Sequence, residues 1–159
     1  MRTPDHLVAA FRSSGRKVTP QRERIFRVLF DNPTHPTAEA VHAEVVADMP
    51  SVSLRTVYAT LNELADMGEL RHLQLGTGSG RFDPNTTPHH HMVCVRCGAV
   101  ADVDATYPDV ALPDGADHGF VVDTTQIVFR GRCAPCAADE TPDPTPGNPS
   151  KIKEQHFHG

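Results

Sequence analysis

Two cysteine pairs constrain this chain more than any other feature. Cys94-Val95-Arg96-Cys97 and Cys133-Ala134-Pro135-Cys136 form a C-x2-C…C-x2-C set that uses all four cysteines of the protein. Each pair lets two thiolates from one tight turn meet the same ion, and two such turns complete a tetrahedral site with no position left for a substrate. Gly98, directly after the first pair, suits the sharp turn of such a knuckle. Structural disulfides and a redox-active thiol pair are the alternatives; a reducing compartment argues against the first, and full thiolate coordination would quench the second. The reading taken is a structural Zn2+ on Cys94, Cys97, Cys133 and Cys136, with folding around it coupled to metal binding.

The chain has 159 residues, room for one ordinary domain or two small ones. It lacks the apolar run of about 18 residues that a bilayer span needs, and residues 1–17 show neither a long apolar stretch nor a small-residue cleavage site. A cytoplasmic protein with no membrane partner is expected. The net charge of −5 is unevenly placed: residues 1–30 hold seven basic side chains against two acidic ones, and residues 87–159 hold five against ten. Because fields are screened over roughly 8 Å at physiological salt, the basic front end can still meet an anionic partner.

Four helix starts are legible in the first half. Thr3-Pro4 opens a stretch with Leu7, Ala10 and Phe11 on one face that ends near Gly15, and Thr19-Pro20 opens another with Ile25, Val28 and Leu29 inward. Thr37 caps a third helix that buries Val41 and Val45 and closes before Pro50. Ser53 caps a fourth, in which Leu54, Val57, Leu61 and Leu64 recur at helical spacing and Gly68 supplies the stop. A strand over Glu69–Leu75, a turn over 76–80 and a strand beginning Arg81-Phe82-Asp83 make a hairpin. Helices followed by such a hairpin describe a winged helix-turn-helix.

In that fold the second helix of the motif enters the major groove with its N-terminal residues at base edges. With Leu54, Val57 and Leu61 inward, Ser53, Arg55, Thr56, Tyr58 and Ala59 are left to face outward. Arginine can pair bidentately with guanine, while threonine and tyrosine can reach a thymine methyl or a phosphate. Arg16 and Lys17 add basic groups from the end of the first helix. An ordinary amphipathic helix would show the same periodicity; the Gly-rich wing favours double-stranded DNA.

From about Pro84 the texture changes to Pro, Asn and Thr, a linker. Beyond it, Met92–Val95, Ala99–Val103, Phe120–Val122 and Gln126–Arg130 read as strands, and Tyr107–Leu112 as a short helix or turn. The domains expected are 1–84, 85–137 and a proline-rich, disordered tail over 138–159. The fold class is α+β, and a second unit of about 50 residues needs a metal staple or oligomerisation for stability.

Ten histidines mark a second metal site. In Pro88-His89-His90-His91 at a strand entry, side chains alternate, so His89 and His91 share a face and His90 points away. Two imidazoles at i, i+2 make half a transition-metal site, although histidine clusters are also found as plain polar surface. Asp83 lies at the exit of the wing and Asp102 follows the first cysteine knuckle.

The ordered motifs His35-Pro36-Thr37-Ala38, Ser53-Leu54-x-Thr56-Val57-Tyr58-x-x-Leu61, Gly80-Arg81-Phe82-Asp83, His89-x-His91-x-x-Cys94-x-x-Cys97-Gly98 and Cys133-x-x-Cys136 closely resemble the ferric uptake regulator (Fur) family over about residues 5–137. The resemblance implies a homodimer in which an N-terminal winged helix binds an A/T-rich inverted-repeat operator and a zinc-stapled α/β domain dimerises. It also implies a sensory metal at the hinge, with ligands mapping onto His35, Asp83, His89, His91 and Asp102. A bound divalent ion would then raise DNA affinity by selecting the closed dimer.

Three imidazoles and two carboxylates are hard-to-borderline donors that suit Fe2+ or Mn2+, whereas a zinc-uptake sensor would be expected to use a thiolate. Asp at both 83 and 102 resembles the peroxide-sensing (PerR-like) branch, where the iron-uptake branch usually has Glu. The further sensory site of many iron regulators looks absent, because Pro88, His90 and Thr125 occupy its positions. By the same resemblance, iron and peroxide would oxidise a ligand imidazole, His35 or His89, release the metal and open the dimer. The event consumes the protein, so no enzyme is expected. An iron-uptake, nickel or manganese repressor, a non-haem metalloenzyme and a thiol switch remain the alternatives.

Overall fold

The computed structural model of the protein describes residues 1–139 apart from residues 77, 108, 109, 111 and 114. The expected tail lies outside the described residues. No helix among them is long and apolar enough to cross a membrane.

Four helices open the chain: α1 Pro4–Ser13, α2 Pro20–Leu29, α3 Ala38–Asp48 and α4 Leu54–Asp66. All four expected starts are present, and each carries a capping hydroxyl. Thr3, Thr19, Thr37 and Ser53 have extended backbones, and their hydroxyls accept from the amides of His6, Arg22, Ala40 and Thr56 at 3.5, 3.3, 3.2 and 3.2 Å. Each such cap typically contributes about 1 kcal/mol by satisfying one orphan amide. Gly68 takes a positive φ of 72° after α4, and Glu69 N–H returns to Leu64 O at 2.9 Å, which stops the helix.

The helices close on one core of Leu7, Phe11, Ile25, Phe26, Leu29, Val41, Val45, Val57, Leu61 and Leu64, with the Phe11 and Phe26 rings 4.9 Å apart. The hairpin follows as β1 Arg71–Leu73 and β2 Arg81–Asp83, antiparallel, with Phe82 turned into the helical core. β1 is shorter than the expected Glu69–Leu75 because only three residues pair with β2. This is a winged helix-turn-helix.

The second unit holds β3 His90–Cys94, β4 Val100–Val103, β5 Val128–Gly131 and the short α5 Ala134–Ala138. Its sheet has the order β4-β3-β5, with β3 antiparallel to β4 and parallel to β5. Three expected boundaries move: β3 starts two residues early, β4 one residue late, and the last strand runs over Val128–Gly131 rather than Gln126–Arg130. The expected strand over Phe120–Val122 does not form, and these residues are 76, 89 and 52% exposed. A strand requires a neighbour to satisfy its amides, and the single chain supplies none there. The expected Tyr107–Leu112 element falls partly outside the described residues.

A second cluster of Leu73, Leu75, Val93 and Val100, with Val128 against it, joins the end of the wing to the C-terminal sheet. The wing thus contributes to both units. This packing holds the inner face of β2 beside the histidines of β3.

Candidate metal centre

The four cysteines converge as expected. One Sγ from each of Cys94, Cys97, Cys133 and Cys136 lies within 4.8 Å of the others, and none is in a disulfide. The first pair comes from the end of β3 and the turn after it, where Gly98 has φ 72° and its N–H donates to Cys94 O at 2.9 Å. The second pair brackets the start of α5, whose Pro135 sits in the first turn where its missing N–H is harmless. Backbone amides of Cys97 and Cys133 pull the Cys94 thiol down to about 5, so it is a thiolate at neutral pH. Its neighbour Cys133 pushes the Cys136 thiol up to about 12; four thiolates this close repel one another unless a cation joins them. The cluster fits Zn2+.

The histidines and aspartates also converge. Ligand atoms of His35, Asp83, His89 and His91 all lie within 4.8 Å of one another. Asp102 Oδ1 adds a fifth, 2.6 Å from His35 Nε2, 3.3 Å from His89 Nε2 and 3.8 Å from His91 Nε2. Strand register explains two of them, since His91 and Asp102 are partners across β3 and β4. Asp83 ends β2, His89 precedes β3, and His35 sits before α3 in a left-handed conformation with φ 50°. His90 points away, as alternation requires: its Nδ1 accepts from Ile127 N–H and its ring packs on Tyr107.

The tautomers point at a cation. Carbonyl oxygens only accept, so the contacts of His35 Nδ1 with Pro33 O at 3.1 Å and of His89 Nδ1 with Thr87 O at 2.8 Å place protons on both Nδ1 atoms. Both Nε2 atoms then present lone pairs to the centre. His89 Nε2 lies 3.0 Å from His91 Nε2 and 3.2 Å from Asp83 Oδ2. Among the buried atoms without a hydrogen-bond partner are His35 Nε2 and Asp83 Oδ2, and Asp83 is only 1% exposed. The 2.6 Å approach of His35 Nε2 to Asp102 is thus a close contact without hydrogen-bond alignment. Lone pairs and carboxylate oxygens facing one another in a buried space are costly when unpaired. A divalent cation resolves that clash and balances the two carboxylates. Burial, then its neighbours His89 and His35, lower the pKa of His91.

Sequence reasoning missed the groups that orient these side chains. Asn85 N–H donates to Asp83 Oδ1 at 2.7 Å, and its side-chain amide donates to Asp102 Oδ2 at 3.4 Å. The Asp83-Pro84-Asn85 order was a readable signal for such an Asx turn. Gln126 Nε2 lies 2.9 Å from His91 Nδ1, and an amide nitrogen donates there, so the ring proton sits on Nε2 facing His89 Nε2; turning the amide to offer its oxygen would move that proton to Nδ1 and free Nε2 for metal. No local pattern announced that contact. A cavity of about 330 Å3 lined by Pro33, His35, Asp83, Asn85 and Asp102 opens the centre to solvent. Asp102, its side chain 33% exposed, stands at this entrance.

The expected DNA-facing residues are less uniform. Arg55, Lys17 and Ser53 are exposed. Arg16 pairs with Glu63 at 3.6 Å, Tyr58 OH donates to Glu39 Oε1 at 2.7 Å, and Thr56 Oγ1 contacts Ser53 Oγ at 2.9 Å. Four of the six, Arg16, Tyr58, Thr56 and Ser53, thus have side-chain partners within the chain.

A winged helix-turn-helix joined to a small sheet unit, with a four-thiolate cluster and a mixed His/Asp centre between them, defines a metal-responsive DNA-binding regulator. The ferric uptake regulator family model matches residues 13–130, and the chain belongs to the ferric uptake regulator family. It is 39% identical over 135 residues to the peroxide-responsive repressor PerR of Staphylococcus aureus (strain USA300), covering 83% of this chain and 90% of that protein. Among solved structures it is similar to the Helicobacter pylori ferric uptake regulator, with TM-score 0.67 and 20% identity, covering 86% of this chain and 93% of that one. It is also similar to Streptococcus pyogenes PerR, with TM-score 0.50 and 25% identity over 86% and 94% of the two chains.

Proposed function

We propose that this protein is a cytoplasmic, homodimeric repressor that binds an A/T-rich inverted repeat when its His/Asp centre holds a divalent cation and lets go after reaction with peroxide. The observation that carries the reading is the convergence of His35, Asp83, His89, His91 and Asp102 with orphaned, inward-facing donor atoms. The mixed nitrogen and oxygen donor set suits Fe2+ or Mn2+, and the four cysteines suit structural Zn2+. Identity to a peroxide-responsive repressor, together with aspartate at both 83 and 102, favours peroxide over iron availability as the signal.

His35 belongs to the winged helix, Asp83 to the wing, His89 and His91 to the linker and β3, and Asp102 to β4. Ligation from all of these segments at once fixes the angle between the DNA-reading unit and the sheet unit. Fe2+, when bound, would supply the one-electron reduction of peroxide beside the ligand rings. His35 and His89 are then the rings in position to take up oxygen, and a ring so modified no longer offers the donor its backbone contacts had oriented. Met92 and Phe129 on the outer face of the sheet and the exposed Phe120–Val122 segment give a second copy apolar surface to cover. α4 and its cap present Arg55 and Ser53 to the major groove, with the exposed Lys17 as a further contact and Tyr58, Thr56 and Arg16 joining once their internal partners are exchanged.

The test is operator binding by the protein loaded with Fe2+ or with Mn2+, each before and after peroxide. Loss of binding in the iron form alone, with added oxygen on a peptide containing His35 or His89, is the expected result. Indifference of both forms to peroxide would favour an iron-uptake regulator instead.

A further inference from the structure

One side chain physically connects the two candidate metal sites. Arg81, at the start of β2, donates through Nη1 to His35 O at 3.0 Å and through Nη2 to Gly98 O at 2.5 Å. His35 is an expected ligand of the His/Asp centre, and Gly98 directly follows Cys97 in the thiolate knuckle. Both residues gripped have left-handed backbones, with φ 50° at His35 and 72° at Gly98. For histidine that conformation is uncommon and persists only where the surroundings hold it.

β2 supplies the contacts to the backbone around His35. Phe82 N–H donates to Pro36 O at 3.0 Å, Thr37 bridges to Arg81 through the backbone, and the Arg81 guanidinium takes the His35 carbonyl. Arg81 Nε is buried without a hydrogen-bond partner, so the two carbonyls are what fix the side chain. On the far side, Gly98 N–H closes the knuckle on Cys94 O. A planar fork with permanent charge can hold two carbonyls in set directions, which an ammonium on a flexible stem cannot.

We propose that Arg81 is a positioning residue that couples the two metal sites: its guanidinium ties the backbone of His35 to the cysteine knuckle, so filling either site favours the geometry of the other. The proposal rests on the assignment of His35 and Asp83 to the cation centre. Coupling of this kind is reciprocal, so a cation at the His/Asp centre protects the knuckle as much as the knuckle preorganises the centre.

The experiment uses the zinc-loaded full chain with Mn2+ as probe, as wild type, Arg81→Lys, Arg81→Met and Asp83→Ala. Two quantities are read: Mn2+ affinity from the spin resonance of free Mn2+, and the rate at which a thiol reagent attacks the cysteines with and without Mn2+. Zinc content and far-ultraviolet dichroism establish that each variant is folded. Both Arg81 variants are expected to lose about tenfold or more in Mn2+ affinity, the usual cost of removing a group that orients a ligand. In the wild type Mn2+ should slow thiol attack severalfold, and Arg81→Lys should abolish that slowing.

The sign of the effect separates positioning from charge. Were Arg81 only a positive charge near a cation, Arg81→Met would bind Mn2+ more tightly and Arg81→Lys would bind it unchanged; either result overturns the proposal. So does Mn2+ that fails to slow thiol attack in the wild type, a measurement that needs no variant to fold. Mn2+ affinity that survives Asp83→Ala would instead put the cation elsewhere, overturning the proposed function and the coupling together.

Discussion

His91 and Asp102 face each other across β3 and β4, with Nε2 3.8 Å from Oδ1, while the same oxygen lies 2.6 Å from His35 Nε2 in the winged-helix unit. One carboxylate oxygen therefore touches imidazoles from both halves of the molecule, and several consequences can be measured.

Removing that carboxylate should empty the proposed regulatory centre and leave the cysteine cluster alone. Asp102 lies on β4, its side chain 33% exposed, so Asp102→Ala opens no core cavity. A Mn2+ affinity lower by roughly 100-fold or more is expected, at least the effect of losing an outer-shell partner. Unchanged zinc content and metal-dependent DNA binding that vanishes would complete the picture; retained metal response would remove Asp102 from the ligand set.

The metal-free centre should make the protein sensitive to mild acid. Burial, with His89 and His35 beside it, holds His91 below its ordinary 6.5, so the unfolded chain binds that proton more readily than the folded one. Stability linked to this ring is then complete above the unfolded value and is lost as pH falls below about 6.5. Thermal midpoints of the zinc-loaded, sensory-site-empty protein should drop between about pH 7 and pH 5.5, and a flat profile would contradict the reading.

Zinc should be needed for the C-terminal sheet to fold. Among the described residues its buried apolar cluster is small, Leu73, Leu75, Val93 and Val100, and half of that comes from the wing. Structural zinc in small peptides contributes on the order of 10 kcal/mol, far more than such a cluster supplies. Cys136→Ser is expected to abolish cooperative unfolding of this unit while the helical core over α1–α4 persists, as hydrogen exchange would register.

Thr19→Ala should cost about 1 kcal/mol, the worth of one cap, because its hydroxyl holds the Arg22 amide at 3.3 Å. A drop of a few degrees in the melting of the helical unit, with metal affinity untouched, is the outcome; no change would mean water replaces the cap.

Arg55→Ala should weaken operator binding more than binding to unrelated DNA. Arg55 is exposed on the first turn of α4, where a bidentate contact to guanine is worth about 1–3 kcal/mol of discrimination. Equal losses on both DNAs, measured at one salt concentration, would make it a phosphate contact instead.

Much of this protein was legible in one dimension. Thr3, Thr19, Thr37 and Ser53 stand where they cap, because a cap reaches only three residues along the chain. The cysteine pairs and the His89/His91 face were legible for the same reason, as the period of a turn or strand sets them. The proposed ligand set of His35, Asp83, His89, His91 and Asp102 came from ordered motifs rather than from spacing, since residues so far apart share no local geometry. Strand ends were misplaced by one or two residues because pairing partners decide them, and Phe120–Val122 stayed unpaired for want of a neighbour.

The chain's own order thus determined the helices with their caps, the two knuckles and the alternation that aims His89 and His91 together while turning His90 away, all consequences of backbone periodicity and short-range hydrogen bonding. Only tertiary structure decided that Tyr58 is tied to Glu39 and Arg16 to Glu63, that Leu73 and Leu75 leave the wing to pack on the sheet, and that Arg81 grips His35 and Gly98 at once. Those contacts join segments whose separation along the chain leaves no periodic trace, so they exist only once the core has brought the segments within reach.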